Sequence, residues 1–215
     1  MAVRPVFVAV PNDKIFVRKN IDFQYFPGFS LSQKRKCIDS LHQAYLTQNP
    51  NSKILEISSK SANELGVRLS AFNLRLQYTD GVTCSVESAY QAGKVFENGG
   101  PYTDLREKSS REAKKDSRLQ DSGNIIGFQY GEHRFPLSPK TYFYDWLYIT
   151  ALVGQKDLAA AVLEYDAFTD IVFNPQRQVN CQAEAAAVYV SLCRQNLLEQ
   201  AMADEKAFLR VVFGS

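Results

Sequence analysis

The chain has 215 residues, 45% of them hydrophobic, which is enough for one globular domain with a real core. The 25 Lys and Arg residues and 23 Asp and Glu residues leave a net charge of +2, so a basic surface must be local. No run approaches the roughly 20 apolar residues of a membrane span, and the broken start MAVRPVFVAV predicts a strand rather than a secretory signal.

The few histidines and the scattered cysteines restrict the kinds of catalytic or metal site that the chain could form. The two histidines, His42 and His133, lie in charged or polar segments and are expected at the surface, while the four cysteines are scattered without CxxC spacing. We therefore expect a reduced cytoplasmic protein with no membrane partner, no metal and no cofactor. Chemistry would have to come from carboxylates, lysines and hydroxyls.

The N-terminal part alternates short extended segments with one amphipathic helix. VFVAV and KIFVRKNIDFQYFPGF predict two strands joined at the turn 11–13, and SLSQKRKCIDSLHQAYLTQ predicts a helix capped by Ser30 or Ser32. KILEIS predicts a short strand and SSKSANELG a polar loop closed by Gly66. VRLSAFNLRLQY predicts a strand that is interrupted between Ser70 and Asn73.

After residue 86 the sequence favours helices. One is expected to begin near Val86 and to end at the stop signal 98–101, and a short one between Ser109 and Leu119 has the capping-box spelling Ser109-x-x-Glu112. The remaining segments predict strands at IIGFQY and FTDIVF, helices at PKTYFYDWLYITALVG and DLAAAVLEY, and one long helix across NCQAEAAAVYVSLCRQNLLEQAMADEKAF. The predicted fold class is α+β: one compact domain, mainly helical after residue 86, with a small sheet from the N-terminal part.

A polar stripe on the helix after residue 86 is the strongest candidate site. Glu87, Tyr90, Gln91 and Lys94 have the spacing i, i+3, i+4, i+7 and would share one helix face. Such a stripe is commonly a solvated surface, but Glu and Lys seven apart are too distant for a routine ion pair, and the phenol and amide between them suit a ligand. The spacing alone leaves both interpretations open.

Specific segments resemble a known family. LSAFN, the Asp80-Gly81 turn and SVESAYQAGKVF resemble the hallmark of the NADAR family (NAD- and ADP-ribose-associated), with matches at Ser70, Phe72, Asn73, Glu87, Gln91 and Lys94. PGFSLSQKRK, ILEISSKS, GGPYTDL, FYDWLY, LEYDAFTDI and NCQA resemble the NADAR antitoxins associated with DarT toxins. This resemblance implies one NADAR domain over 1–215, with an N-terminal elaboration (1–60) and a catalytic core (61–200).

The resemblance also implies an activity. Members of this branch are understood to remove ADP-ribose from guanine bases of DNA, which makes ADP-ribosylated DNA, the product ADP-ribose and a DarT-type toxin the expected partners. Glu87 and Lys94 are then the predicted catalytic pair. The predicted substrate-binding residues are Ser70, Phe72, Asn73, Tyr90, Gln91, Tyr102 and Asp170.

A basic stripe on the capped helix is the predicted contact to DNA phosphates. Arg111, Lys114, Lys115 and Arg118 again have the spacing i, i+3, i+4, i+7. A solvated face is the competing interpretation. Two other functions also stay open: an N-glycosidase acting on a small phosphorylated metabolite of the riboflavin-pathway type, and a non-catalytic antitoxin that binds ADP-ribosylated DNA or the toxin.

Overall fold

The computed structural model describes residues 1–12 and 14–214, so Asp13, in the predicted turn, lies outside the described residues. The strands are β1 Ala2–Val8, β2 Val17–Phe23, β3 Ile54–Glu56, β4 Arg75–Gln77, β5 Thr83–Ser85, β6 Lys94–Phe96, β7 Ile125–Tyr130, β8 His133–Phe135 and β9 Ala167–Thr169. The helices are α1 Leu31–Gln48, α2 Glu64–Arg68, α3 Val86–Ala92, α4 Ser110–Lys114, α5 Arg118–Asp121, α6 Tyr142–Val153, α7 Lys156–Val162, α8 Gln182–Arg194, α9 Leu198–Ala201 and α10 Glu205–Phe213, with a 3-10 helix at Thr103–Glu107.

A four-stranded sheet in the order β2-β1-β9-β3 joins the N-terminal part to the rest of the chain. β1 is antiparallel to β2 and β9, whereas β3 and β9 run parallel. Alternate side chains enter opposite faces: Val6 packs under α1, and Phe7 packs into the larger core. Since β9 is the middle partner of β1 and β3, residues from both ends of the chain build one sheet.

The larger core is centred on α6 and α8. Leu147, Ile149 and Val188 on these helices have no solvent-exposed surface, and the helices pack against the sheet through Phe168. The hairpin β4-β5 and the antiparallel sheet β6-β7-β8 border this core. Together these elements form a single compact α+β domain, as predicted. Among the described residues, no helix is long and apolar enough to cross a membrane.

Several predicted elements agree with the structure. Ser30 caps α1 by accepting a hydrogen bond from the Gln33 amide, and the predicted capping box is present, since Ser109 and Glu112 satisfy each other's backbone amides. The strand predicted at 125–130 is observed with the same bounds, and the one predicted at 53–58 is observed at 54–56. The strand predicted at 168–173 is observed at 167–169, so only Phe168 and Thr169 belong to both.

The segment around Gly66 differs from its prediction. Residues Glu64–Arg68 form α2, capped by Asn63, in place of a loop and the start of a strand. Gly66 is needed there for space, because a Cβ at this position would lie 2.0 Å from the carbonyl oxygen of Glu56. The close approach of α2 to β3 therefore depends on this glycine.

The helix expected to reach residue 98 ends earlier. Gly93 caps α3, and Lys94 is the first residue of β6, paired with Phe128 of β7. A Cβ at position 93 would lie 2.8 Å from both the Gln129 carbonyl oxygen and the Phe143 ring. Tight packing against β7 and α6 thus ends the helix at Ala92, with Gly93 as the cap before Lys94.

Two other predicted helices are broken. The short one of 109–119 divides into α4 and α5, separated by Lys115 to Ser117. The long C-terminal one divides into α8, α9 and α10, with the first break at Asn196, whose φ of 57° is left-handed. The amphipathic pattern of this segment continues through both breaks, so sequence periodicity does not reveal where the helices end.

Candidate active site

A cavity of about 390 Å³ opens where β3 and β9 end and α3 begins. Ser58 follows β3, Asp170 follows β9, and Glu87 lies in the first turn of α3, so three separate elements bring polar groups to one wall. The volume falls within the roughly 300–1,000 Å³ typical of ligand pockets. The cavity is therefore the candidate site.

Glu87 is held firmly at this cavity. Its side chain is only 9% exposed, and its amide donates to the Ala71 carbonyl at 2.9 Å, which ties the start of α3 to the turn 70–73. Gln91, one helical turn later, donates through Nε2 to Glu87 Oε1 at 2.8 Å. As an acid in the first turn of α3, Glu87 is also favoured by the helix dipole. These contacts fix the carboxylate toward the cavity.

Lys94 reaches the same cavity from β6. Its Nζ lies 5.1 Å from the centroid of the Tyr90 ring, a cation–π contact. Burial lowers the pKa of Lys94, the nearby Glu87 carboxylate raises it, and the Lys114 ammonium lowers it again. The net direction is downward, which increases the neutral fraction of this amine and so favours nucleophilic chemistry.

Lys114 supplies a second amine. Its Nζ lies 3.4 Å from Glu87 Oε1 and 5.5 Å from the centroid of the Phe72 ring, at the mouth of the cavity. The position of α4 that allows this contact is secured by Ser110, whose hydroxyl hydrogen-bonds to Ser85 and to the Phe72 carbonyl. One carboxylate is thus flanked by two amines.

Asp170 follows β9 on the same wall of the cavity. Its carboxylate accepts hydrogen bonds from the amides of Val172 and Phe173 and from Gln182 Nε2, the last at 3.0 Å. Burial, with the repulsion of the nearby Glu56 carboxylate, raises the pKa of Asp170 to about 7. Gln182 also donates to the Ile57 carbonyl and accepts from the Ala71 amide, so it links three walls of the cavity.

A buried polar network lies behind this wall. Glu56 accepts from Thr169 Oγ1 at 2.6 Å and from Ser58 at 2.7 Å, and burial raises its pKa. His42 Nε2 lies 2.8 Å from the same threonine oxygen, and burial lowers the pKa of His42 to about 4. The expectation that His42 is a surface residue is therefore wrong: it packs between α1 and the sheet as a neutral side chain. His133 is exposed and contacts Glu205 at 3.0 Å.

A family comparison covers essentially the whole chain. The model of the DarT1-associated NADAR antitoxin family matches residues 2–215. The chain belongs to this family. The match links the NADAR chain to a DarT1-type toxin in an antitoxin role. No curated protein matches it.

The predicted substrate residues of this NADAR chain divide into two groups. Ser70, Phe72, Tyr90, Gln91 and Asp170 line the cavity with Glu87 and Lys94. Tyr90 packs against Phe128 and Phe143, and burial raises its pKa to about 12. Proximity in the cavity is consistent with the predicted roles of these residues, which remain predictions.

Asn73 and Tyr102 lie outside the lining of the cavity. Asn73 donates through Nδ2 to the Val67 carbonyl at 2.9 Å, which closes the turn after α2. Tyr102 hydrogen-bonds with Ser122 at 2.5 Å, and its ring lies under the guanidinium of Arg118. Both side chains make these contacts away from the cavity lining, and their roles in substrate binding stay predictions.

The predicted basic stripe is also divided. Lys114 belongs to the cavity, while Arg118 binds the carboxylates of Asp104 and Asp116 at 2.7 and 2.8 Å. Arg111 and Lys115 are exposed on α4 and beside it. A continuous helical stripe for DNA phosphates does not exist, because the helix breaks at Lys115 and Arg118 is neutralised by acids.

Several polar residues of the cavity were not named from the sequence, among them Ser58, Gln182, Asn180 and Arg177. Asn180 donates a hydrogen bond to Tyr90, and its Oδ1 is buried without a hydrogen-bond partner among the described residues. Arg177 is an exposed cation on the lining. Asn180 belongs to the NCQA segment, which resembles the NADAR antitoxins and so indicated this region. Arg177 lies in a segment without any periodic or motif signal. In the part of the chain that the structure describes, no cluster of His, Cys, Asp and Glu could hold a metal ion.

Proposed function

We propose that this antitoxin is an ADP-ribosyl glycohydrolase that removes ADP-ribose from guanine bases of DNA and so reverses the action of a DarT-type toxin. The observation that carries the proposal is the convergence of the Glu87 carboxylate and the Lys94 amine on one cavity of about 390 Å³. A protein that only binds the toxin or modified DNA has no need of an amine with a lowered pKa beside a fixed carboxylate.

Glu87 is proposed to stabilise the sugar. Cleavage of an N-glycosidic bond passes through a transition state with positive charge at the anomeric carbon, and a carboxylate beside that carbon lowers its energy. The hydrogen bond from Gln91 and the ion pair with Lys114 both fall on Oε1, which leaves Oε2 for the sugar or for a water molecule. Glu87 would then serve as an electrostatic stabiliser or as a general base.

Lys94 has two candidate roles, both compatible with its position. As a neutral amine it would attack the anomeric carbon; the bond to the guanine nitrogen breaks, and that nitrogen takes up a proton. The sugar ring then opens to an imine on Nζ, and water hydrolyses it to free ADP-ribose and regenerated lysine. Alternatively, the protonated amine donates its proton to the ribose oxygen or the leaving base.

Other cavity groups suit the remainder of ADP-ribose. Phe72 is 42% exposed at the mouth, where a base could stack on its ring. The unpartnered Oδ1 of Asn180 is an acceptor for a ribose hydroxyl, and the Arg177 guanidinium suits a pyrophosphate oxygen. The last two assignments give a ligand partner to Asn180 Oδ1 and to the Arg177 guanidinium, which have no hydrogen bond or ion pair among the described residues.

The test uses DNA ADP-ribosylated on guanine as the substrate. Mass spectrometry follows free ADP-ribose and restored guanine with wild type, Glu87→Gln and Lys94→Ala. Removal of one electrostatic stabiliser typically costs about 100- to 1,000-fold in rate, so both variants should fall at least that far. Glu107→Gln and Lys156→Ala, exposed sites away from the cavity, serve as matched controls with unchanged rates.

The outcomes separate the three functions. Release by wild type and both controls, but not by the cavity variants, supports the proposal. Binding of modified DNA without release would replace it with a non-catalytic antitoxin. Inertness toward DNA together with cleavage of a small phosphorylated N-glycoside would replace it with a metabolite glycosidase.

A further inference from the structure

A second polar groove lies beside the candidate active site. It has a volume of about 430 Å³ and lies between the strands β1 and β2 and the loop 174–176. Its polar lining consists of two arginines and three side-chain amides, without an acidic residue: Arg4, Arg18, Asn20, Asn174 and Gln176. The groove is therefore a local concentration of positive charge in a chain whose net charge is only +2.

Both arginines keep donors for a ligand. Among residues 1–12 and 14–214, neither Arg4 nor Arg18 forms an ion pair; Arg4 donates through Nη1 to the Val3 carbonyl at 3.0 Å, and its Nε is buried without a hydrogen-bond partner. Arg18 is exposed, with its guanidinium 6.0 Å from the Phe7 ring. Its charge partly offsets the rise in the pKa of Glu184 that burial causes. By contrast, Arg118 of the predicted basic stripe is occupied by two carboxylates.

The loop that borders the groove also borders the active-site cavity. Asn174, Pro175 and Gln176 face the groove, while Arg177 and Gln178 line the cavity. The loop is tightly closed, because the Asn174 carbonyl accepts from the amides of both Arg177 and Gln178, at 3.0 and 2.9 Å. The Asn174 amide in turn donates a hydrogen bond to Gln178 Oε1 at 2.7 Å. Groove and cavity are thus two sides of one short, internally bonded segment.

We propose that the groove of Arg4 and Arg18 binds the phosphodiester backbone next to the modified guanine. With Arg177 assigned to the pyrophosphate of ADP-ribose, the strand that carries the modified guanine would cross the loop 174–178 and place its phosphates on Arg4 and Arg18. Amide side chains complement this charge, since they donate to phosphate oxygens without adding repulsion. This inference rests on the proposed function for the identity of the strand, and it relocates the DNA contact from the helix 109–119 to β1 and β2.

A binding measurement tests the groove without any catalysis. Fluorescence anisotropy with an unmodified single-stranded oligonucleotide, over a range of salt concentrations, compares wild type with Arg18→Glu. We expect Kd to rise about tenfold at low salt, and the slope of log K against log salt to fall by about 0.7 for each lost phosphate contact. Arg134→Glu, the same change at an exposed position on β8, is the matched control and should behave as wild type.

A second variant guards against a folding defect. Asn20→Glu places a carboxylate in the groove at an exposed position and leaves both arginines in place, so it should weaken strand binding in the same direction. Equal affinity of Arg18→Glu, Asn20→Glu and Arg134→Glu for the oligonucleotide would overturn the inference. So would a loss confined to the binding of free ADP-ribose, which would show that the groove holds the pyrophosphate of the ligand.

Failure of the groove and failure of the proposed function are distinguishable. If wild type does not release ADP-ribose but its strand binding depends on Arg18, the proposed activity fails and the groove stands. If Arg18→Glu releases ADP-ribose from a long modified strand as fast as wild type does at subsaturating concentration, the groove inference fails and the activity stands.

Discussion

Nζ of Lys114 lies 3.4 Å from Oε1 of Glu87, so α4 contributes to the same cavity as α3. The sequence placed these two residues in different roles, one in DNA binding and the other in catalysis. The Lys114 side chain is 49% exposed and that of Glu87 only 9%, so the amine approaches a largely buried carboxylate from the mouth of the cavity. Lys114 is therefore a positioning residue for Glu87 and an electrostatic neighbour of Lys94.

Removal of Lys114 should shift the pH dependence of catalysis. The Lys114 ammonium lowers the pKa of Lys94, so Lys114→Ala should raise it. If Lys94 attacks as a neutral amine, the acid limb of the profile of kcat/KM against pH moves to higher pH. Lys115→Ala, an exposed lysine one residue away, should leave the limb unchanged. A limb that stays in place in Lys114→Ala would exclude this coupling.

Lys94 should be the amine that bears a covalent intermediate, if one forms. Borohydride added during turnover reduces an imine to a stable secondary amine, and peptide mass spectrometry then locates the adduct. We expect the adduct on Lys94, still present in Lys114→Ala and absent in Lys94→Ala, because Lys94 is the more buried of the two amines. Turnover without any adduct would assign Lys94 to proton transfer. An adduct on Lys114 would contradict the proposal that Lys94 is the nucleophile.

The candidate site could be predicted from sequence only where local spacing or family resemblance carries information. Glu87, Tyr90 and Gln91 lie within one short helix, so helical periodicity was sufficient to group them. Lys94 was grouped with them because it was expected on the same helix. It lies instead at the start of β6 and reaches the cavity through the pairing of β6 with β7. Arg177 enters through a loop whose path depends on tertiary packing, which no pattern in the chain describes.

The elements of the fold were likewise predictable only where they depend on local sequence. Alternation predicted β1, β2 and β7 because side-chain period is a local property. Helix α2 around Gly66 and the end of α3 at Gly93 were not predictable, because each depends on contact with a distant segment: Glu56 in one case, Gln129 and Phe143 in the other. The division of the chain at residue 60 into an elaboration and a core stays a prediction.

Arg118 should matter for stability more than for DNA binding. Its guanidinium joins Asp104 and Asp116, and Asp116, only 10% exposed, has its pKa held well below its usual range by hydrogen bonds from Arg118 and Lys108. Arg118→Ala leaves Asp116 with Lys108 and the backbone amide at position 118, and it removes the guanidinium that joins Asp104 to Asp116, so the melting temperature should fall. Thermal unfolding against Arg111→Ala, an exposed arginine on α4, measures the difference. Equal melting temperatures of the two variants would contradict the structural role of Arg118.

Asp170 should make stability depend on pH between about 4 and about 7. Burial and the Glu56 carboxylate raise its pKa from the ordinary value of 3.8 to about 7 in the folded chain. Over this interval the folded state holds a proton that the unfolded state has lost, so the free energy of unfolding falls as pH rises. Below the interval the carboxyl is protonated in both states, and above it the destabilisation is complete and constant.

Asp170→Asn isolates this contribution. Asparagine keeps an acceptor for the Val172 and Phe173 amides, but its Nδ2 would face Gln182 Nε2, which now donates to Asp170 at 3.0 Å. Two opposed donors cost about 1–3 kcal/mol at every pH, so absolute stability is not the test. The measurement is the melting temperature of the variant minus that of wild type, which should increase from pH 4 to pH 7 and then level off. Asp39→Asn, at an exposed position on α1, should give a flat difference, and a flat difference for Asp170→Asn as well would contradict the raised pKa of this carboxyl.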